Sequence, residues 1–270
     1  MTDQAELMPT LFIPHGGGPC FFMDWHMGPP DTWQKMEQWL RGVVATLPAR
    51  PSAVLVISGH WEEPQVTVNS APHPELYFDY YGFPPHTYEL TYPAPGDPEL
   101  ARQVQSLLSQ SGFPCGETLE RGLDHGVFVP FKLMLPEAEL PVVQLSLIAG
   151  LDPDAHLRVG QALAPLRSQG VLIVGSGMSF HNMGALQQGS GLADSERFDT
   201  WLTQACELPP AERRKALTEW AQAPSALEAH PREEHLLPLM VAAGAAMDEP
   251  GQHIYRDQVM NATVSAFQFG

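Results

Sequence analysis

The stretch Ala53-Val54-Leu55-Val56-Ile57-Ser58-Gly59-His60-Trp61 decides the fold. Its apolar part is a continuous β-branched run without polar alternation, the pattern of a strand covered on both faces. Two other runs have the same form and the same ending. They read Thr10-Leu11-Phe12-Ile13-Pro14-His15-Gly16-Gly17-Gly18 and Val171-Leu172-Ile173-Val174-Gly175-Ser176-Gly177-Met178-Ser179-Phe180-His181-Asn182. Each run finishes on a histidine within a few residues of a glycine. Ligands bind outside the carboxyl ends of strands in an open α/β sheet, so these histidines can converge although they are far apart in sequence. Imidazole is a common metal ligand, which makes a metal site the first reading to test.

Around these runs, strand-like and helix-like segments alternate. Strands are expected over 52–58, 65–69, 141–147, 171–174 and 263–269. Helices are expected from Asp31 to about Leu47 with Asp31 as N-cap, from Asp97 to about Gln110, after Asp152-Pro153, twice between Asp194 and Trp220 with a break at Pro209-Pro210, and over about 233–246. The fold class is α/β: a single domain over residues 1–270, with a central mixed sheet flanked by helices and the active site at the strand C-terminal ends. Residues 71–96 carry many prolines and aromatics and no period. This is a long loop, read as a lid over an aromatic substrate or as a segment packed on the core.

Composition bounds the function. The chain has 270 residues, 44% of them hydrophobic, enough for a sizeable core. A formal net charge of -17 opposes binding to DNA, RNA or anionic membranes, since polyanion affinity rests on Lys and Arg. No run of 18 apolar residues exists, and the first seven residues lack the basic start and apolar stretch of a signal peptide, so a cytoplasmic protein is expected. Three widely spaced cysteines, Cys20, Cys115 and Cys206, fit reduced thiols rather than a disulfide framework.

Five of the eleven histidines share a setting. His15, His60 and His181 stand at strand ends, His125 at the mouth of a helix in Leu123-Asp124-His125-Gly126, and His235 at the start of the late helix in His230-Pro231-Arg232-Glu233-Glu234-His235. His26, His73, His86, His156 and His253 have less in their favour, and His156 is expected on the solvated surface of its helix. No His-Glu-x-x-His helix or Cys-x-x-Cys pair is present. Gly175-Ser176-Gly177 lacks the last glycine of a dinucleotide fingerprint, and neither Ser176 nor Ser179 sits in a Gly-x-Ser-x-Gly elbow, leaving a serine hydrolase a minor reading.

Taken together, Pro14-His15-Gly16-Gly17-Gly18-Pro19, Ser58-Gly59-His60-Trp61, Gly122-Leu123-Asp124-His125-Gly126, Gly175 to Asn182 and Ala229 to His235 resemble the class III extradiol ring-cleaving dioxygenases, in their 4,5-DOPA dioxygenase-like branch. The motifs occur in the family's order and span nearly the whole chain. The resemblance implies a mononuclear non-haem metal, Fe(II) expected and Zn(II) possible in the purified protein. It also implies His15, His60 and His235 as metal ligands and His125 and His181 as catalytic histidines that handle protons and oxygen, with His181 able to reach the metal as well. It assigns His181 as general base for a phenolic proton and His125 as the group that stabilises oxygen or supplies a proton.

The implied reaction inserts both atoms of O2 into a catechol-type ring to give a ring-opened semialdehyde. The implied partners are a small aromatic substrate and O2, with the chain a monomer or small homo-oligomer. The stretch Cys20-Phe21-Phe22-Met23-Asp24-Trp25-His26 is bulkier than the small-residue continuation of many members, which implies a pocket of different size. Two other readings use the same histidines: a zinc-dependent hydrolase with a metal-bound hydroxide, and a non-catalytic protein with a vestigial metal pocket. Arg232 and Lys132 are read as candidate carboxylate partners or as exposed cations without a role.

Overall fold

The computed structural model describes residues 7–270. Residues 1–6, which carry most of the expectation that no leader is present, lie outside the described residues. Eight strands form one mixed sheet: β1 (Thr10–Pro14), β2 (Ala53–Glu63), β3 (Thr67–Asn69), β4 (Gly116–Thr118), β5 (Val142–Ile148), β6 (Val171–Gly177), β7 (Gly251–Val259) and β8 (Ala262–Phe269). Their order is β4-β3-β5-β2-β6-β1-β8-β7. The middle four, β5, β2, β6 and β1, run parallel, while β3 and β8 flank them antiparallel. The continuous apolar runs are these middle strands. Every residue of β1 and β6 is buried, because helices cover both faces.

The helices are α1 (Gln34–Val43), α2 (Pro98–Gln110), α3 (His125–Met134), α4 (Pro153–Leu163), α5 (Met183–Gln188), α6 (Leu192–Glu207), α7 (Pro210–Thr218), α8 (Ala226–Ala229) and α9 (Leu237–Ala245). All nine residues of α9 are buried, and it packs on β6 and β1 with α4 against it. Asp97 caps α2 by accepting from the backbone N–H of Glu99 and Leu100, both at 2.9 Å, and Asp152 caps α4 through the N–H of Asp154.

Several expectations are corrected. Asp31 does not cap α1 with its side chain; its carbonyl accepts from Gln34 N, and the helix starts at Gln34 and tightens into a 3-10 turn over Val44–Thr46. The late helix starts at Leu237 rather than Glu233, since 233–236 form a turn whose His235 carbonyl is taken by Met178 N–H. The edge strands β4 and β7 were not foreseen. β7 is largely polar and half-exposed, so neither a continuous apolar run nor a clean alternation marks it. His156 is buried rather than on the surface: its Nδ1–H donates to the Asp152 carbonyl at 2.8 Å and its Nε2 accepts from Ile148 N–H at 3.1 Å, tying α4 to the end of β5.

One irregularity positions the site. Between Ile57 and Glu62, β2 advances five residues while β5 advances two, from Leu145 to Leu147. The extra residues, in Ser58-Gly59-His60-Trp61, leave the ladder with β5 as a bulge, while Ser58 still pairs with Ser176 of β6. That bulge carries His60 beside the ends of β1 and β6.

Candidate metal centre and its carboxylate supports

Five histidines meet above the parallel strands. His15 follows β1 directly, with its N–H bonded to the Gly177 carbonyl. His60 stands on the β2 bulge, His125 is the first residue of α3, His181 lies four residues past β6, and His235 sits in the turn before α9. The turn comes close because β6 ends in glycines. A Cβ on Gly177 would overlap the His235 carbonyl oxygen, so the Gly175-Ser176-Gly177 signal reports backbone packing rather than nucleotide binding.

The Nε2 atoms of His15 and His235 each lie 3.2 Å from Nε2 of His60. His15 Nδ1–H donates to the Gly16 carbonyl at 2.9 Å, and His235 Nδ1–H donates to Glu234 Oε1 at 2.8 Å. Both rings therefore present bare Nε2 lone pairs to His60. Burial holds all three imidazoles well below their usual pKa, and the neighbouring histidines add to that, so the rings are neutral. A single N–H on His60 cannot satisfy two facing lone pairs. A shared cation can: nitrogen ligands at about 2.1 Å and angles of about 90–109° place their atoms roughly 3.0–3.4 Å apart. The donor set thus fits a divalent metal, and three ligands leave coordination positions for other groups.

The other two histidines flank this trio. The His125 ring lies 4.0 Å from His60 and 5.2 Å from His15. His181 stacks on His235 with ring centres 3.3 Å apart, and its Nδ1 lies 3.3 Å from Glu234 Oε1. His60 and His181 are the more open members, with about a fifth of each side chain accessible, while His15 and His235 are buried.

Two carboxylates that sequence reasoning passed over hold the group. Asp79 Oδ1 accepts from both the backbone N–H of His125, at 3.0 Å, and its Nδ1–H, at 2.8 Å, and Asp79 Oδ2 lies 3.6 Å from His60 Nδ1. Glu234 faces the Nδ1 atoms of both His235 and His181 with one oxygen, Oε1. Burial pushes both carboxyls up, but bonds and charges from the histidines outweigh it, holding each below its usual value and ionised. Asp79 is the single carboxylate between Leu76 and Thr87, in a run of aromatics and prolines; that isolation was the available signal. Behind this layer, buried Asp124 accepts from Ser58 Oγ, Arg121 and Gln144 at 2.7, 3.0 and 2.5 Å, fixing the bulge to the start of α3.

The long loop is seated on both sides. Residues 75–77 pair with Leu123, Tyr80 packs its ring 5.8 Å from His125, Phe83 lies against Gly18, and His86 reaches the Phe22 carbonyl. Tyr81, at its tip, is 90% exposed.

The remaining candidates stay outside the cluster. Ser176 donates to the Gly126 carbonyl, and Ser179 Oγ accepts from Ser265 N–H, so both serve packing. Burial raises the Cys20 thiol, and its Sγ accepts from Gly17 N–H. Arg232 is not a free cation: it grips Glu62 with two bonds of 2.6 Å and also reaches Glu234 at 3.4 Å. Lys132 donates to the Thr91 carbonyl.

Comparison with known proteins gives the family. Residues 9–269 match the family described as the catalytic LigB subunit of aromatic ring-opening dioxygenase. The 4,5-DOPA dioxygenase extradiol of Beta vulgaris is 41% identical over 249 residues, covering 91% of this chain and 90% of that protein. Dioxygenase tasH of Hapsidospora irregularis is 35% identical over 289 residues, covering all of this chain and 87% of the relative. A crystal structure of an uncharacterized Escherichia coli K12 protein superposes with a TM-score of 0.78 at 27% identity, covering 97% of this chain and all of the other. No helix among the described residues is long and apolar enough to cross a membrane. The matched length and the full set of motifs leave one assignment: the chain belongs to the LigB family of aromatic ring-opening dioxygenases and is an extradiol-type enzyme.

Proposed function

We propose that this protein cleaves a substituted catechol, 4,5-DOPA-like or related, and inserts both atoms of O2 to give a ring-opened semialdehyde. The observation that carries the reading is the convergence of His15, His60 and His235 on one point, with His125 and His181 beside it. Family membership removes support from the hydrolase and binding-only readings. His15, His60 and His235 would hold the metal. A bound Fe(II) would supply an electron path between the ring and O2, whereas Zn(II), which the same three imidazoles accept, would not.

The chain's own residues do the rest. Asp79 keeps the His125 proton on Nδ1, and Glu234 favours the same for His181, so both rings offer a bare Nε2. Each must accept a proton before it can give one. His181, the more open of the two, takes a phenolic proton as the catechol binds. His125, beside His60, takes the catechol's other phenolic proton on Nε2; once protonated it can donate a hydrogen bond toward oxygen and return that proton as the ring opens. The seated aromatic loop and the glycine loop limit water at the reacting centre. All atoms of O2 enter the product, so the overall reaction needs no external reductant.

The test is anaerobic reconstitution with Fe(II), then addition of O2 and a catechol panel including DOPA and protocatechuate. Stoichiometric oxygen uptake with a new yellow chromophore, lost in His15→Ala and His60→Ala, supports the reading. No uptake across the panel by metal-loaded protein would overturn it.

A further inference from the structure

Asp79 belongs to neither the sheet nor a helix. It sits in the aromatic loop, forty-six positions before His125, yet a single oxygen of its carboxylate takes both the backbone N–H and the ring N–H of that residue. Its other oxygen faces His60 Nδ1 at 3.6 Å. We infer that Asp79 is a positioning residue: it fixes the Nδ1–H form and ring direction of His125 and makes them depend on the seating of the aromatic loop.

Three observations carry this. The double contact leaves the His125 ring little rotation, because a ring turned away would strip a half-buried carboxylate of its strongest donor. The loop on either side of Asp79 is anchored independently, through Tyr77 N–H to the Leu123 carbonyl at 2.8 Å and through Phe78 and Tyr80 on Phe128. Asp79 is thus delivered to the site by a packed segment and is not a solvated side chain that happens to reach it. Finally, Asp124 and Arg121, the other charged groups at this corner, bond to each other and to Ser58, Gln144 and the His60 carbonyl. Neither of them bonds to the His125 ring, so among the described residues Asp79 is its one carboxylate partner.

An outer carboxylate on a metal-site histidine commonly contributes 10–100-fold to metal affinity or activity. The inference rests on the dioxygenase reading only for its kinetic consequence; the ring's proton position is a property of the protein itself. The experiment therefore uses the Zn(II)-loaded, ¹⁵N-histidine-labelled full chain, with the tautomer of His125 read from long-range ¹H–¹⁵N correlations and the resonance assigned by loss in His125→Gln. Wild type should show His125 protonated on Nδ1. Asp79→Asn, whose amide oxygen can still accept, should retain that form, while Asp79→Ala should lose it or mix the two forms. In the Fe(II) enzyme, Asp79→Ala should lower kcat about 10–100-fold with KM little changed, and Asp79→Asn should recover part of the loss. If Asp79→Ala keeps the wild-type tautomer, or if both variants merely melt earlier with no change in tautomer, the inference is overturned. Failure of wild type to turn over any catechol would defeat the dioxygenase reading alone, since the tautomer measurement still decides the role of Asp79.

Discussion

The Cα of Gly177 faces the carbonyl oxygen of His235 so closely that any side chain at 177 would overlap it. The same carbonyl accepts from Met178 N–H at 3.1 Å, so the end of β6 and the turn bearing His235 form one unit. Gly177→Ala should therefore push His235 out of line as well as overpack the core. We expect a loss of about 1–3 kcal/mol in stability together with weaker metal binding. Denaturant melts and a metal-competition titration on the same variant check this. A destabilised protein with wild-type metal affinity would show that the turn adjusts independently of the histidine.

Metal removal should have a thermal signature. A site that forms only in the folded chain adds RT ln(1 + [L]/Kd), or about 2.7 kcal/mol at a hundredfold excess over Kd. Adding Zn(II) to the metal-free protein should raise the melting temperature of wild type, and chelation should reverse it. His15→Ala, His60→Ala and His235→Ala should each abolish the shift, while His125→Ala should keep most of it. A full shift in His60→Ala would remove that residue from the ligand set.

His230 gives a pH dependence that can be separated from the metal site. It is completely buried, with Nε2–H donating to the Ser179 carbonyl at 3.1 Å, and burial lowers its pKa to about 3. The folded form holds the ring neutral, so on acidification the unfolded chain takes up this proton first. The contribution to stability is complete above about pH 6.5 and falls by about 1.4 kcal/mol per unit as the pH drops toward 3. In His230→Phe, whose ring can occupy the space beside Phe198 and Trp220, urea melts between pH 6 and 4 should fall less steeply than wild type by about that amount. Parallel profiles would mean that His230 takes up a proton without unfolding.

Arg232 should matter more to the site than to the fold. Its side chain is over half exposed, and exposed pairs contribute about 0–1 kcal/mol. Yet it links Glu62, at the end of β2, to Glu234, which holds His235 and His181. Arg232→Gln should leave the melting temperature within a few degrees and lower Zn(II) affinity several-fold, less than the roughly 10–100-fold typical of a group bonded directly to a ligand, because Arg232 acts one step further out through Glu234. Isothermal titration of wild type and variant decides it.

The parallel core was legible because buried strands write themselves as unbroken β-branched runs, and the histidines at their ends were legible because strand ends are where an open sheet binds ligands. His15, His60, His125, His181 and His235 do come together. What escaped was information held between segments. Asp79 reaches His125 from a loop with no periodicity, Glu234 acts through its neighbour in sequence, and His156 turns inward because the end of β5 offers it a free N–H. Polar β7 carries no apolar run of its own, as its pairing partner β8 supplies the buried face.

The β2 bulge has a consequence for how this chain tolerates change in length. An odd number of extra residues separates the two paired parts of β2, so side-chain alternation after the bulge is inverted relative to the part before it. In this phase Glu62 is the residue that bonds Arg232. Deleting or inserting one residue within 58–61 would restore the original phase, turning Glu62 to the other face and withdrawing His60 from its partners. Within this segment the number of residues is constrained in addition to their identities, which are set at Ser58 by Asp124, at His60 by its facing histidines and at Gly59 by the His235 turn that rests against it.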